Sequence, residues 1–243
     1  MLRVLSISLF ILAVIPESCF CGDKEDSSLK DVVVQEDING ITSTNDSKIN
    51  FQAKKAVFNK SDGTLEMRDD VNISTDKGLN LKTDRLNWNQ KSGDITTDLP
   101  VKITKQGAME ITGKGLNAQT SLKTAEVRKE VTVKVPQSGG DFIMITCKGP
   151  LDIDYQGGKA VFYNDVKVSQ KDAELFSDKA TVYFDMKKQV LDKVVAEGSV
   201  RIVRGKDTSF SKKAIYEMSD KKIRLEGSPR LVIFSGEGQG MFK

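Results

Sequence analysis

Residues 96–116 read TTDLPVKITKQGAMEITGKGL. Val101 and Ile103 stand two apart, a glycine-bearing break follows, and Met109 and Ile111 resume the alternation. That is the period of a strand with one buried face. The same phrase returns as RKEVTVKV, YNDVKVSQ and EGSVRIV. The valine that opens each V-x-I/V unit falls at Val71, Val101, Val131, Val166 and Val200, with partners at Ile73, Ile103, Val133, Val168 and Ile202. The intervals are 30, 30, 35 and 34 residues. A sixth copy, EGSPRLV, puts Pro229 in the lead position and Leu231 in the second. Proline cannot donate to a ladder, so this copy is expected at an edge, and Pro100 is expected where its strand begins.

A second column supports the register. Fifteen residues before the lead position stand Ala56, Leu86, Leu116, Leu151 and Ala214, and two residues later Phe58, Trp88, Ala118, Ile153 and Tyr216. For Val200 the equivalent is Ala180, twenty residues back in a longer hairpin. Turn chemistry separates the runs: KSDG (60–63), NQKSGD (89–94), PQSGGD (136–141), YQGGK (155–159) and MSDKK (218–222). No convincing amphipathic helix intervenes. Each repeat reads as strand, turn, strand, with one side-chain parity inward, and a period in this range signals stacked units sharing one core. The expected fold is all-β, an elongated roll of about six such repeats.

Composition narrows the function. With 37 bases against 34 acids the net charge is +3, which gives no reason to expect nucleic acid as a partner. The chain has no histidine, which removes Ser-His-Asp and Cys-His catalysis and the commonest zinc ligand. Neither an enzyme activity nor a cofactor or metal is expected. Asp69, Asp70, Asp76, Asp84, Asp94 and Asp98 form no calcium loop, and turns are expected to explain most of them.

The N-terminus reads as an export segment. MLR is a short basic region, and residues 4–15, VLSISLFILAVI, match the apolar part of a signal peptide while being short for a membrane span. Cleavage near Cys21, lipidation at Cys19 or Cys21 (behind a poor Pro16-Glu17-Ser18 box) and retention as an anchor all remain open. Residues 1–22 are the signal peptide or anchor and 23–30 a polar linker; SGEGQGMFK at the other terminus reads as a frayed tail. Only Cys147 lies outside the export segment, so a disulfide framework is not expected and Cys147 reads as a small buried hydrophobe.

Several motifs resemble a known family. Phe51-x-Ala53-x-x-Ala56-x-Phe58, Leu81-x-Thr83-Asp84-x-Leu86-x-Trp88, Ile95-x-Thr97-Asp98-x-Pro100-Val101-x-Ile103 and Gly113-x-Gly115-Leu116 are similar to LptC-related proteins. Later, ATVYF from Ala180, Glu197-Gly198-Ser199-Val200-x-Ile202 and Glu226-Gly227-Ser228-Pro229-x-Leu231 resemble the LptA/OstA repeat. The resemblance covers about residues 30–235 and implies a β-jelly roll shaped like a taco, with an LptC-like part over 31–137 and an LptA/OstA-like part over 138–243. The stretch exceeds one LptC-like domain, which implies either a fusion or a lengthened groove. The family role implied is a periplasmic carrier, tethered to the inner membrane by its N-terminal segment. It binds lipopolysaccharide acyl chains and passes them towards the outer membrane. The implied partners are that lipid, the inner-membrane export complex and other jelly-roll bridge proteins joined edge to edge.

The residues are compatible with that role. The candidate groove is Val71, Ile73, Leu86, Trp88, Val101, Ile103, Leu116, Val131, Val133, Leu151, Ile153, Val166, Val168, Val200 and Ile202. Acyl chains buried against such a face gain about 0.8 kcal/mol per CH₂ without polar contacts. The same residues are equally the ordinary core of a β-sandwich, and Trp88 reads as filler of one layer. The alternative is therefore an exported β-solenoid scaffold with a closed core that binds only proteins. Basic clusters at 201–207 and 211–224, with a mixed one at 169–180, read as solvated faces because acids interleave them, the other reading being contact with lipid phosphates.

Overall fold

Asn59 and Asn89, one repeat apart, end their strands in the same way. The Asn59 side-chain oxygen accepts from the Ser61 N–H, and that of Asn89 accepts from the Lys91 and Ser92 N–H groups. Gly63 and Gly93, both at positive φ, donate back to the Asn59 and Asn89 carbonyls at 2.9 and 2.8 Å. Gln90 N–H donates to the Gly63 carbonyl at 2.9 Å, so the two turns stack. Across these two repeats the sequence period is thus also a period of backbone hydrogen bonding.

The structure is a computed structural model and describes residues 32–43, 48–105, 109–119, 124–137, 140–185, 190–219 and 222–233. The export segment, the polar linker and the tail at 235–243 lie outside the described residues. The strands are β1 (Val32–Ser43), β2 (Lys48–Asn59), β3 (Thr64–Thr75), β4 (Leu79–Asn89), β5 (Asp94–Lys105), β6 (Met109–Gln119), β7 (Thr124–Pro136), β8 (Phe142–Cys147), β9 (Leu151–Asp154), β10 (Lys159–Gln170), β11 (Ala173–Asp185), β12 (Val190–Arg204), β13 (Asp207–Glu217), β14 (Lys222–Glu226) and β15 (Arg230–Val232). They form one antiparallel sheet in chain order. Two positions are split. β8 and β9 share the place between β7 and β10, and β14 and β15 share the edge beside β13. Pro229 lies in that second split, at the edge, as expected.

One line crosses the whole sheet and folds it. Register shifts fall between Arg68 and Val71, Thr97 and Pro100, Tyr163 and Val166, and Glu197 and Val200. Residues with left-handed backbone stand on this line: Asp69, Asp70, Glu130, Asn164, Asp165, Gly198, Ser199, Gly227 and Ser228. Such φ values are costly for most side chains and least so for Gly, Asn and Asp. The V-x-I/V unit begins immediately after each bend because the bend ends there. An upper leaf carries these units and a lower leaf carries the Leu86–Trp88 column. Phe51 of the upper leaf meets Trp88 of the lower, ring centres 5.9 Å apart and edge to face, so the leaves pack inner face to inner face. The result is an elongated β-jelly roll.

Three expectations change. Inward parity is not uniform: β3 buries Leu65, Met67, Val71 and Ile73, whereas β4 buries Leu81 and Thr83, then Leu86 and Trp88. Alternate strands cross the line with an odd or an even step, as bulges do. Pro100 sits in the middle of β5 at a register shift, where a bulge spares the ladder donor, not at the strand start. Asp69 and Asp70 lie in mid-strand and not in a turn.

The outer face is held differently. Val161, Thr181 and Ile215 are buried there, in a row with half-buried Val195. Long charged side chains flank that row: Lys179 and Lys213 approach Glu197 at 3.9 and 3.8 Å, and Lys193 lies 4.9 Å from the Tyr183 ring centre. Their stems cover apolar surface while the charges stay in water. On the line itself Lys54 pairs with Asp70 and Lys148 with Asp165, exposed links of little energetic weight.

Gly149, in the split between β8 and β9, tests the fold line. A Cβ there meets the Arg128 carbonyl oxygen at 2.3 Å and the Lys129 Cα at 2.9 Å, with φ at 101°. Gly205, in a turn at φ 59°, has nothing within 4 Å. Urea unfolding is expected to show Gly149→Ala losing about 2 kcal/mol or more, and Gly205→Ala about 1 kcal/mol. Equal losses at both sites contradict a tightly packed split.

Candidate functional site

The inner face is organised as cross-strand ladders. On the upper leaf Ile73, Leu81, Ile103, Ile111, Val133, Ile145, Val168, Leu175 and Ile202 pair in unbroken succession. On the lower leaf Leu65, Trp88, Ile95, Ala118, Ala125, Ile153, Ala160, Val182 and Val194 do the same. Nearer the line, Leu116, Val127, Leu151, Phe162, Ala180, Ala196, Ala214 and Leu225 form a third. Aliphatic contact therefore continues from strand to strand through the split position β8–β9.

All fifteen candidate groove residues lie on this face, but not with equal access. Thirteen are buried: Val71, Ile73, Leu86, Trp88, Val101, Ile103, Leu116, Val131, Val133, Leu151, Ile153, Val166 and Val200. Val168 and Ile202 are half-buried. Past β10 the covering thins while the face stays apolar: Leu175 and Ile202 are half-buried and Leu231 is 61% exposed. Side-chain size follows the same gradient, since large residues from Met67 to Phe162 give way to Ala180, Ala196 and Ala214. The buried side chains divide accordingly into a long cluster ending at Val182 and a small one at Ala196, Val200 and Ala214.

Sequence reasoning missed half of the face. Met67, Ile111, Val127, Ile145, Phe162 and Val182 are as buried as the candidates. Their own period-2 alternation was the available signal. It missed also a column of small residues: Thr83, Gly113, Cys147, Ser177 and Ser211 face the five lead valines in register. The hydroxyls of Ser177 and Ser211 donate to the carbonyls of Lys179 and Lys213, both at 3.0 Å, and Thr83 donates to Pro100 at 2.9 Å. Each satisfies a carbonyl near the bend. Cys147 occupies this column, and burial pushes its thiol up, opposed by the backbone of Gly149 and Tyr163.

Gly113 and Gly115 also have a physical role. A Cβ on Gly113 meets Val127 Cγ1 at 2.5 Å, and one on Gly115 meets the Arg128 guanidinium at 2.5 Å. Arg128 passes over Gly115 to donate to the Thr97 carbonyl and to pair with Asp98. The indole N–H of Trp88, in the apolar interior, has no hydrogen-bond partner among the described residues. A concavity of about 610 Å³ is lined by Asp94, Glu126, Asp152 and Asp154 together with Ile153, Val161 and Tyr163. Among the described residues no group of three or more acids and cysteines is arranged to hold a metal, and no helix is long and apolar enough to cross a membrane.

Two family models match this chain in tandem. Residues 33–135 match "Lipopolysaccharide-assembly, LptC-related", and residues 150–242 match "LptA/(LptD N-terminal domain) LPS transport protein". The chain is an LptC/LptA-like fusion. No curated protein matches it. Among solved structures it is similar to LptH of Pseudomonas aeruginosa, the LptA-homologous periplasmic component of the lipopolysaccharide transport device. The identity is 14%, over 80% of this chain and 100% of that one, with a TM-score of 0.29. By its families the chain is a lipopolysaccharide-transport protein. In the fusion, β8 falls between the two matched segments and bonds to the LptC-related β7 on one side and the LptA-like β10 on the other.

Two measurements follow from the uneven burial. Leu86→Ala, at a side chain with no exposure, is expected to cost about 2–5 kcal/mol, and Ile202→Ala less than half as much, read from urea midpoints. Comparable costs contradict an opening past β10. Cys147 is expected to stay unmodified by a maleimide in the folded chain, by peptide mass spectrometry, and Cys147→Ser to change stability by about 1 kcal/mol or less, since serine holds two other places in the column. Rapid labelling of folded protein contradicts that placement.

Proposed function

We propose that this fusion is an exported carrier that holds lipopolysaccharide acyl chains against its inner face and passes them from the inner towards the outer membrane. The observation that carries this reading is the apolar ladder running unbroken from the LptC-related strands through β8 to Val168, Leu175 and Ile202, where the face opens. In the carrier reading acyl chains are held most readily at the open end, over the small side chains of Ala180, Ala196 and Ala214. Aliphatic contacts have no preferred direction, so a chain can slide along them. The Trp88 N–H, unpartnered among the described residues, is a polar donor on offer to an ester or amide carbonyl that travels with the chains. Lipid passage through the tightly buried LptC-related half requires its leaves to part.

The same reading assigns the partners. Val33 and Val34 on β1 and Leu231 and Val232 on β15 are exposed on terminal strands, where further jelly-roll proteins would add edge to edge. Residues 1–22 would tether the chain at the inner membrane beside the export complex, with the roll in the periplasm. Residues 31–137 and 138–243 would act as consecutive parts of one path. No step requires catalysis, a cofactor or a metal.

Complete burial of Leu86 and Val127 favours the scaffold reading for the LptC-related half. Photo-crosslinking residues at Ile103, Val133, Leu175 and Ile202, in cells making lipopolysaccharide, separate the two. Adducts are expected at Leu175 and Ile202 first. If none of the four positions gives a lipid adduct in well-folded protein, the scaffold reading stands and the carrier reading is lost.

A further inference from the structure

The split at the C-terminal edge leaves part of β13 uncovered. β14 pairs with Lys213–Glu217 and β15 with Thr208–Phe210, so Ser211 and Lys212 face the gap. Gly227 and Ser228, both at positive φ, carry the chain past it. A cavity of about 490 Å³ opens there, lined by Arg201, Lys212 and Arg230 with Ser199, Ser211 and Ser228, and by no carboxylate. Arg201 alternates with inward Val200 and Ile202, which puts it on the outer face.

What holds these cations decides what they can do. Elsewhere on the sheet cations meet acids, as Arg224 meets Glu226 at 3.0 Å. Arg201 lies instead over the Phe176 ring at 4.0 Å, and Arg230 over the Phe210 ring at 5.5 Å. Lys212 rests its stem on Gly227, where a Cβ would stand 2.6 Å from the lysine Cβ. Asp178 packs against Gly198, next to Ser199, but does not line the cavity. None of the three cations has a carboxylate partner among the described residues. A ring face binds the guanidinium plane and leaves its N–H edge free, whereas a carboxylate would occupy that edge. The whole chain has an excess of only three positive charges. An acid-free group of three cations is therefore a local arrangement and not the consequence of a basic surface.

We propose that Arg201, Lys212 and Arg230 form a binding site for a phosphate group, either free or carried on a lipid headgroup. Two forked guanidiniums and one ammonium, approaching from different strands, suit a tetrahedral dianion with several acceptor oxygens. A protein carboxylate, planar and singly charged, would engage one fork only. The hydroxyls of Ser199 and Ser228 supply further donors, while that of Ser211 is taken up by the Lys213 carbonyl. The site is on the outer face and needs no acyl chain between the leaves, so it stands or falls separately from the carrier function.

The test uses the full chain at low ionic strength with two probes. One is inorganic phosphate, followed by calorimetry. The other is phosphatidylcholine vesicles with and without phosphatidic acid, followed by co-sedimentation. Saturable binding of at least one phosphate probe is expected. Affinity should fall about ten-fold for each arginine removed in Arg201→Gln/Arg230→Gln. Arg201→Lys/Arg230→Lys, which keeps charge without the fork, should fall between that variant and the natural chain. Lys60→Gln/Lys82→Gln, exposed cations on a distant part of the sheet, should bind unchanged. Binding of free phosphate alone assigns the site to a soluble ligand, and a gain only with phosphatidic acid assigns it to a headgroup; either supports the site. Circular dichroism of each variant checks folding, which exposed side chains should not alter. Absence of binding by the natural chain to both probes overturns the proposal, as does an equal loss in the Lys60/Lys82 control.

Discussion

The left-handed bend between leaves is the constraint on which the interior depends. A single twisted sheet of this length has two faces and no inside. Bending the long strands on one line brings the inner face against itself, and only then does Phe51 reach Trp88. The bend needs backbone conformations that cost most side chains about 1–2 kcal/mol each. Asp69-Asp70, Asn164-Asp165 and Gly198-Ser199 are among the residue types that adopt them most readily or whose short polar side chains bond locally. On the neighbouring strand a small residue stands opposite the lead valine, and its hydroxyl takes up a carbonyl that the bulge frees. A bulky side chain in that column would hold the leaves apart. A small one without a donor, as at Gly113, is tolerated where a glycine pair lets the neighbouring strand close in.

Inner and outer faces solve different problems with the same strands. The inner face must remain apolar across the junction of the two family segments, and it does so residue against residue. Its volume falls from Phe162 to Ala180, Ala196 and Ala214, and with less side chain to interlock, Leu175 and Ile202 lose their cover. The outer face is in water on a many-stranded sheet whose terminal strands are prone to pairing with other chains. Alternating charges and stem-covered apolar rows keep it solvated, and in most rows the charges neutralise one another. The acid-free corner at Arg201 departs from that rule.

Legibility in the sequence followed the range of the interaction. Val71-x-Ile73 and its copies could be read because alternation is a local property, and the stacked Asn59 and Asn89 turns because their residue types dictate a conformation. The bend could not be read in the same way. Asp69 and Asp70 look like turn residues, and the clue that they are not is positional: such pairs stand directly before a lead valine and not between runs. The small column was hidden because its spacing from the lead valine varies, from Val71 to Thr83 and from Val131 to Cys147. The uneven burial of the groove residues was hidden too, since exposure of Ile202 depends on the size of the side chains packed near it and not on its own alternation. Interleaved acids made the basic stretches look balanced, but register, not adjacency, decides which charges meet. Arg201 faces Phe210, while Glu197 faces Lys213.

The two split strand positions allow a comparison within one molecule. At the inner one, between β8 and β9, every exposed end finds a partner. Lys148 N–H donates to the Asn164 carbonyl at 2.8 Å, Gly149 N–H to Tyr163 at 3.2 Å, and Tyr163 N–H returns to Pro150 at 3.1 Å. The Asn164 side chain donates to the Gly149 carbonyl at 2.8 Å from the other flank. A split is therefore compatible with a closed sheet when a strand lies on each side. The outer split, at Gly227-Ser228-Pro229, has β13 on one side and no strand of the sheet on the other. Its Ser211 and Lys212 face a gap that no residue of β14 or β15 fills in the ladder. Buried or half-buried backbone groups so placed are satisfied by water or by a ligand. With three unpaired cations around them, an anion is the ligand that the field at this corner favours.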